Sequence, residues 1–259
     1  MKLSTTKINW TIVKRSIKSN LSFLIVITIC IAILFILGLT AEIVKQDKAT
    51  AEKPYGNTIA GFNQTVYQPL GIIIFGLLAI LLPTKLVSNE IENTSLAILM
   101  VSKNSRYTIL LSKYMAVFFT IFGLFIFQMI FGMTLLTKFF KVEDYGKFIN
   151  LNWTYFLGTW TLASISFIFN VFCKKRMNAL LISGGILVGS LAMFTISFIF
   201  NEYEVISKFR YVSVFGFSDL ETILKGDWTM VFAYLVGLPI NIGLLFGSLF
   251  IFKNKNLLL

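Results

Sequence analysis

The chain has 259 residues, of which 56% are apolar and only 14% charged, whereas about 25% of the residues of an average soluble domain carry charge. This composition excludes an ordinary soluble domain and indicates a membrane protein. The absence of histidine excludes Ser-His and Cys-His nucleophile pairs and zinc proteases of the H-E-x-x-H type. Two cysteines, Cys30 and Cys173, are too few for a disulfide framework or a four-cysteine metal site, so we interpret both as packing residues.

Residues 1–19 are predicted to form an amphipathic helix at the membrane interface. One helical face carries Thr6, Trp10, Val13 and Ile17, and another carries Lys7, Thr11, Lys14 and Lys18. Such a helix places its apolar stripe in the headgroup boundary and its cations towards phosphate. The alternative is a basic tail that only orients the first span.

Six uncharged stretches are long enough to cross a bilayer, which takes roughly 20 residues at about 1.5 Å each. They are residues 19–41, 54–84, 115–137, 148–173, 177–201 and 228–252. The first half of the second stretch is polar, so we place its crossing at residues 69–84, with Pro69 starting the helix. The first stretch is too long for a signal-peptide core and lacks a convincing cleavage site, so we expect it to remain in the mature chain.

Basic residues are concentrated in alternate segments between these spans. The N-terminus, residues 85–113, residues 174–176 and the C-terminal tail carry fourteen Lys and Arg and two acidic residues, and the other loops carry nine basic and ten acidic residues. One side of the membrane thus receives a charge of +12 and the other −1, which together give +11. By the positive-inside rule both termini are cytoplasmic. We attribute the positive charge to topology and anionic lipid and expect no nucleic-acid partner.

The cytoplasmic segment 85–113 is predicted to contain a short helix. Asn93 and Thr94 can cap a helix over residues 95–100, which ends before Arg106. Leu96 and Leu99 then need an apolar cover. Lipid, the chain itself, or a groove on a separate subunit could supply it.

The same segment resembles the signature of the permease subunits of type-two ABC exporters. The residues that carry the resemblance are Asn89-Glu90-Ile91-Glu92-Asn93-Thr94, then Leu99, Ser105-Arg106 and Lys113. The family pattern is an acidic residue, Glu-Gly-Thr, a leucine-rich helix, Pro-x-Ser-Arg and a later Lys. This chain has Asn93 at the Gly position and lacks the Pro.

The resemblance implies an all-α membrane protein with six transmembrane helices, an interfacial helix at residues 1–19 and a single permease domain over 1–259. Residues 85–113 would be the coupling segment that docks on an ATPase subunit. The coupling residues would be Glu90, Glu92, Thr94, Leu96, Leu99 and Arg106. Residues 202–227 would form an extracellular gate of short, partly re-entrant helices, for which residues 218–221 offer a capping box. A plain surface loop is the alternative.

The resemblance also implies the partners and the cargo. The chain has no G-x-x-x-x-G-K-[ST] motif, so ATP and Mg would bind a separate ATPase subunit, and this chain would be neither an enzyme nor a cofactor or metal binder. A second permease copy, identical or paralogous, would complete the transporter. Exporters of lantibiotics and phenol-soluble modulins are the most similar kinds, which implies export of amphipathic, antimicrobial or cytolytic peptides across the bacterial plasma membrane.

The predicted spans contain no Asp, Glu, Lys or Arg, which argues against proton-driven transport. Phe118, Phe122, Phe125 and Met129 share one face of the third span and could border a hydrophobic translocation path, although such stripes also face lipid or neighbouring helices. The G-x-x-x-G motifs at 185–189 and 243–247 would permit close helix packing, within one subunit or across a dimer. The alternative function is an ATP-independent secondary transporter or an accessory membrane scaffold.

Overall fold

The computed structural model describes residues 8–48, 66–93, 95–96, 105–139, 145–200, 202–211, 213–218 and 229–254. The described ranges are helices and turns without a strand. Their main helices are α1 (Trp10–Ser19), α2 (Leu21–Lys48), α3 (residues 67–92), α4 (Arg106–Phe139), α5 (Tyr145–Phe172), α6 (Arg176–Ile199), α7 (Glu204–Ser207) and α8 (Thr229–Asn254). All of these except α1 and α7 are long and apolar enough to cross a membrane. The predicted all-α class, with six helices that are long and apolar enough to span a membrane, is confirmed.

Helix α3 is interrupted by two π-helical turns. It consists of a π turn at Tyr67–Gly71, an α-helix at Ile72–Pro83, a second π turn at Thr84–Ser88 and a final α-helical turn at Asn89–Glu92. Pro69 lies inside the first π turn, so the prediction that it starts the helix is wrong. A π turn shifts the hydrogen-bond register by one residue, which accommodates a proline that cannot donate. At Gly71 a Cβ would lie 2.5 Å from the Val66 carbonyl oxygen, so this turn requires glycine.

The predicted cytoplasmic segment 85–113 is helical at both ends. Helix α3 continues to Glu92 and α4 begins at Arg106, so the spans extend past the charges that were taken to end them. The charges are accommodated by partners: Lys85 Nζ lies 4.1 Å from the centre of the Phe23 ring, and Glu90 pairs with Lys113. The predicted short helix is described only at residues 95–96, which are helical, while Thr94 and residues 97–104 lie outside the described residues.

Helix α1 packs against the start of α4. Its N-cap residue, Asn9, accepts a hydrogen bond from the Thr11 N–H at 3.0 Å, and the Asn9 N–H donates to Ser112 Oγ of α4 at 2.9 Å. Ile12 and Val13 are buried, whereas Trp10 is 60% exposed. The sequence placed Trp10 and Val13 on one face. The structure separates them, because Val13 points into the bundle while the Trp10 ring lies 5.5 Å from that of Phe119.

Helices α3 and α5 form the centre of the bundle. In the most apolar 18-residue stretch of each helix, 72% of the residues of α5 and 67% of those of α3 are buried, whereas in α6 and in α8 the buried share is 22%. The outer helices expose rows of Ile, Leu, Val and Phe, which suits contact with lipid.

Close helix packing occurs at glycines outside the predicted G-x-x-x-G motifs. A Cβ at Gly132 would lie 2.5 Å from the Phe35 and Phe148 rings, whereas a Cβ at Gly185, Gly189 or Gly243 would have no neighbour within 4 Å. At the remaining motif glycine, Gly247, the nearest atom would be 3.7 Å away. The glycines of the motif at 185–189 therefore lie next to no other helix among the described residues, and of Gly243 and Gly247 only Gly247 lies next to a side chain of another helix, Ile168 of α5.

The segment after α6, which is predicted to be extracellular, folds back along the bundle. Ser213 Oγ donates to the Ser190 carbonyl oxygen at 2.9 Å, and Ser190 lies nine residues before the end of α6, or roughly 14 Å at 1.5 Å per residue. Phe215 is buried, and a Cβ at Gly158 of α5 would lie 3.1 Å from the Val214 carbonyl oxygen. Of the predicted capping box at residues 218–221, only Ser218 lies within the described residues. The gate role stays a prediction.

Candidate functional site

The end of α3 and the starts of α4 and α6, which are predicted to be cytoplasmic, meet in a cluster of charged residues. Glu90 and Glu92 lie in the last turn of α3, and Arg106 is the first residue of α4. Two of the predicted coupling residues, Thr94 and Leu99, lie outside the described residues. We call Glu90, Glu92, Lys113 and Arg176 the cytoplasmic junction, after the predicted orientation of the chain.

The strongest contact of this junction is an ion pair between α3 and α4. Lys113 Nζ lies 2.6 Å from Glu90 Oε2, and the side chains are 1% and 25% exposed, respectively. A buried ammonium group is costly unless a counter-charge lies beside it. The pair therefore fixes the end of α3 to α4, seven residues after the start of α4. In the sequence analysis Lys113 was singled out only as the later lysine of the family signature, and its pairing with Glu90 was not predicted.

A second contact joins α3 to α6. Glu92 Oε1 accepts a hydrogen bond from the backbone N–H of Arg176 at 2.5 Å. Arg176 is the first residue of α6, and the first N–H groups of a helix have no partner within the helix. The carboxylate also lies at the positive end of the helix dipole. Glu92 thus acts as a capping group from another helix, a role that the sequence analysis did not assign.

Leu96 is only 1% exposed and belongs to the apolar core. Of the three covers that the sequence left open, the chain itself covers Leu96. Its side chain is therefore covered in this conformation, and its role as a docking contact stays a prediction. Glu92 and Arg106 are exposed at the same end of the bundle.

A buried hydrogen-bond chain extends from this junction into the bundle. Ser88 Oγ, in the second π turn of α3, donates to Asn170 Oδ1 of α5 at 2.6 Å. Asn170 Nδ2 donates to the Ser166 carbonyl oxygen at 2.8 Å. The Glu92 end of α3 is therefore held by α4, α5 and α6 together.

A second polar cluster joins α3, α4 and α5 at the other end of α3. The Tyr67 hydroxyl donates to Asn152 Oδ1 at 2.8 Å, and Gln128 Nε2 donates to the Tyr67 oxygen at 2.7 Å. All three side chains are buried. Asn241 of α8 likewise accepts from Ser164 Oγ of α5 at 2.7 Å. Hydrogen bonds between membrane helices contribute about 0.6 kcal/mol each on average, so these clusters hold helices together.

The predicted path residues face α5. Phe122 and Phe125 lie 5.7 and 5.8 Å from the Phe156 ring, centre to centre, and with Met129 they line a narrow cleft. The other lining residues are Ile126, Asn152, Trp153 and Phe156. Phe118 lies beside the cleft, 4.9 Å from the Trp160 ring. The cleft leaves about 10 Å³, which is room for at most one water molecule, so it is closed in this conformation.

Among the described residues, no group of three or more Cys, Asp or Glu side chains could hold a metal ion. Cys30 and Cys173 are both free thiols. No protein-family model matches this chain, and a comparison with curated proteins also gives no match.

Proposed function

We propose that this chain is the transmembrane permease subunit of an ATP-driven ABC exporter in a bacterial plasma membrane. Its termini are cytoplasmic, and it works as a pair of permeases with ATPase subunits on separate chains. The observation that carries the proposal is the cytoplasmic junction. There the Glu90–Lys113 pair and the Glu92–Arg176 hydrogen bond fasten the end of α3 to α4 and α6.

The junction makes residues 93–105 a short connection between two anchored helices. A force applied to this connection reaches α3 and α4 together, and it reaches α6 through Glu92. An ATPase subunit that binds one orientation of these helices better than another shifts the balance between inward and outward states. ATP and Mg act on the ATPase subunit.

The cargo we propose is an amphipathic peptide of the antimicrobial or cytolytic kind. The cleft between α4 and α5 is lined by aromatic side chains and Met129, with Asn152 as its polar group. Binding sites for apolar ligands combine such walls with a small number of polar groups. Separation of α4 from α5 would open the cleft.

Docking of the ATPase can be tested by charge reversal at the two ends of α4. The chain is co-expressed with the ATPase encoded beside it, and Arg106→Glu is compared with Lys138→Glu. Both side chains are exposed, and Lys138 lies in the last turn of the same helix. We expect Arg106→Glu to reduce co-purification of the ATPase at least tenfold, and Lys138→Glu to leave it unchanged.

Leu99→Asp serves as a second variant of the docking segment. Leu96 is not used, because an aspartate at that position would lie in the chain's own apolar core. Equal co-purification of the ATPase with the parent chain, Arg106→Glu and Leu99→Asp would overturn the docking assignment. Export of a peptide from vesicles that contain this chain without any ATPase would favour the ATP-independent alternative.

A further inference from the structure

Helix α1 carries cations on the side that faces away from the bundle. Its exposed residues are Trp10, Thr11, Lys14, Arg15, Lys18 and Ser19, and together they line one open groove. Within the described ranges, none of the three cations forms an ion pair with an acidic side chain. The spacing of four residues places Lys14 between Trp10 and Lys18 on one row, with Arg15 on the adjacent row.

The orientation of this cationic face is fixed by contacts on the opposite side of α1. Ile12, Val13 and Ser16 are buried, and the Asn9 N–H donates to Ser112 Oγ. The apolar face is therefore occupied by the protein itself. Attraction of α1 to lipid must come from its outer, charged face.

We propose that this outer face of α1 is a binding site for the phosphate headgroup of an anionic phospholipid. Position favours lipid as the occupant, because only Asn20 separates α1 from α2, whose apolar residues Leu21 and Ile25 are exposed from its first turns. Helix α1 consequently lies where a membrane span emerges into the headgroup layer. Trp10, 60% exposed, is a residue type enriched at that depth.

The side-chain chemistry of the face suits a phosphodiester with a hydroxylated headgroup. The Arg15 guanidinium can donate two parallel hydrogen bonds to phosphate, and Lys14 and Lys18 add charge. The hydroxyl group of Thr11, one helical turn before Arg15, can bond to a glycerol headgroup. Phosphatidylglycerol meets these requirements. A zwitterionic lipid such as phosphatidylcholine brings its own cation into the site. The proposal is independent of the transport function proposed above.

The test measures lipid binding to the whole protein in neutral detergent. Dioleoylphosphatidylglycerol or dioleoylphosphatidylcholine is titrated, and bound lipid is counted by native mass spectrometry. Lys14→Gln, Arg15→Gln and Lys18→Gln are combined in one variant. The control combines Lys174→Gln, Lys175→Gln and Lys253→Gln, which removes the same charge from three exposed positions outside α1. At about fivefold per cation near a membrane surface, we expect the α1 variant to bind phosphatidylglycerol roughly a hundredfold more weakly and the control to bind it normally.

Four results would overturn the proposal. One is equal weakening in the α1 variant and the control, which would reduce the effect to net charge. The second is equal binding of the two lipids by the parent chain, which would show that the face does not select an anionic headgroup. The third is displacement of phosphatidylglycerol by millimolar inorganic phosphate, which would indicate a site for a free anion. The fourth is loss of a co-purified ATPase with unchanged lipid binding, which would assign the face to a protein partner. A single Arg15→Gln variant, expected to bind about fivefold more weakly, covers the case in which the triple variant does not fold.

Discussion

The ion pair of the cytoplasmic junction predicts an unequal response to removal of its two partners. Lys113 is 1% exposed and Glu90 is 25% exposed. Removing one partner of a buried pair costs about 3–5 kcal/mol, because the remaining charge stays buried without compensation. Glu90→Gln leaves the enclosed ammonium and should cost that full amount. Lys113→Met leaves a carboxylate that water already reaches, so we expect it to cost only about 1–2 kcal/mol.

The double variant, Glu90→Gln with Lys113→Met, should recover most of the loss, since it removes both charges together. The free energy of unfolding of the four proteins is measured in one mild detergent by denaturant titration, and the coupling energy is taken from the double-mutant cycle. A coupling energy of about 2 kcal/mol or more is expected. A larger loss for Lys113→Met than for Glu90→Gln, or strict additivity, would refute the reasoning.

Two further predictions concern helix packing. Gly132→Ala should lower the free energy of unfolding by about 1–3 kcal/mol, because the new Cβ would clash with the Phe35 and Phe148 rings. Gly123→Ala, whose Cβ would have no neighbour within 4 Å, should be neutral or stabilising in the same thermal unfolding assay. A larger loss of stability for Gly123→Ala than for Gly132→Ala would contradict the packing. Ser213→Ala should speed deuterium exchange over residues 202–218, because it removes the hydrogen bond to the Ser190 carbonyl oxygen. Ser183→Ala should leave this exchange unchanged, because the Ser183 hydroxyl is buried without a hydrogen-bond partner in the described chain. Equal exchange in both variants would show that Ser213 does not hold the segment.

The six spans could be predicted from the sequence because the physical signal is local. A charge in the hydrocarbon core is costly, so uncharged stretches of sufficient length mark the crossings. The same signal ended the second span at residue 84 and began the third at residue 115, whereas α3 continues to Glu92 and α4 begins at Arg106. Lys85 and Glu90 continue α3 because they have partners in Phe23 and Lys113, and a partner distant in the sequence leaves no local pattern.

The candidate site was less accessible to sequence reasoning. Glu92 and Arg176 are 84 residues apart, so nothing in their neighbourhoods indicates the contact. Helical spacing placed Trp10 and Val13 on one face of α1, but spacing alone does not show which side another helix covers. The burial of Leu96 has the same origin, since an apolar residue in a cytoplasmic segment can be covered by its own chain or by a partner.

The most direct test of the proposed function is a cross-linking measurement on the assembled complex. A single cysteine is placed at position 99, between the anchored ends of α3 and α4, in a chain that lacks Cys30 and Cys173. The control cysteine replaces Ile199, which is 65% exposed at the opposite end of α6. With a short bifunctional reagent, position 99 should cross-link to the ATPase subunit and position 199 should not. An ATPase that co-purifies but cross-links at neither position, or only at 199, would contradict docking through this segment.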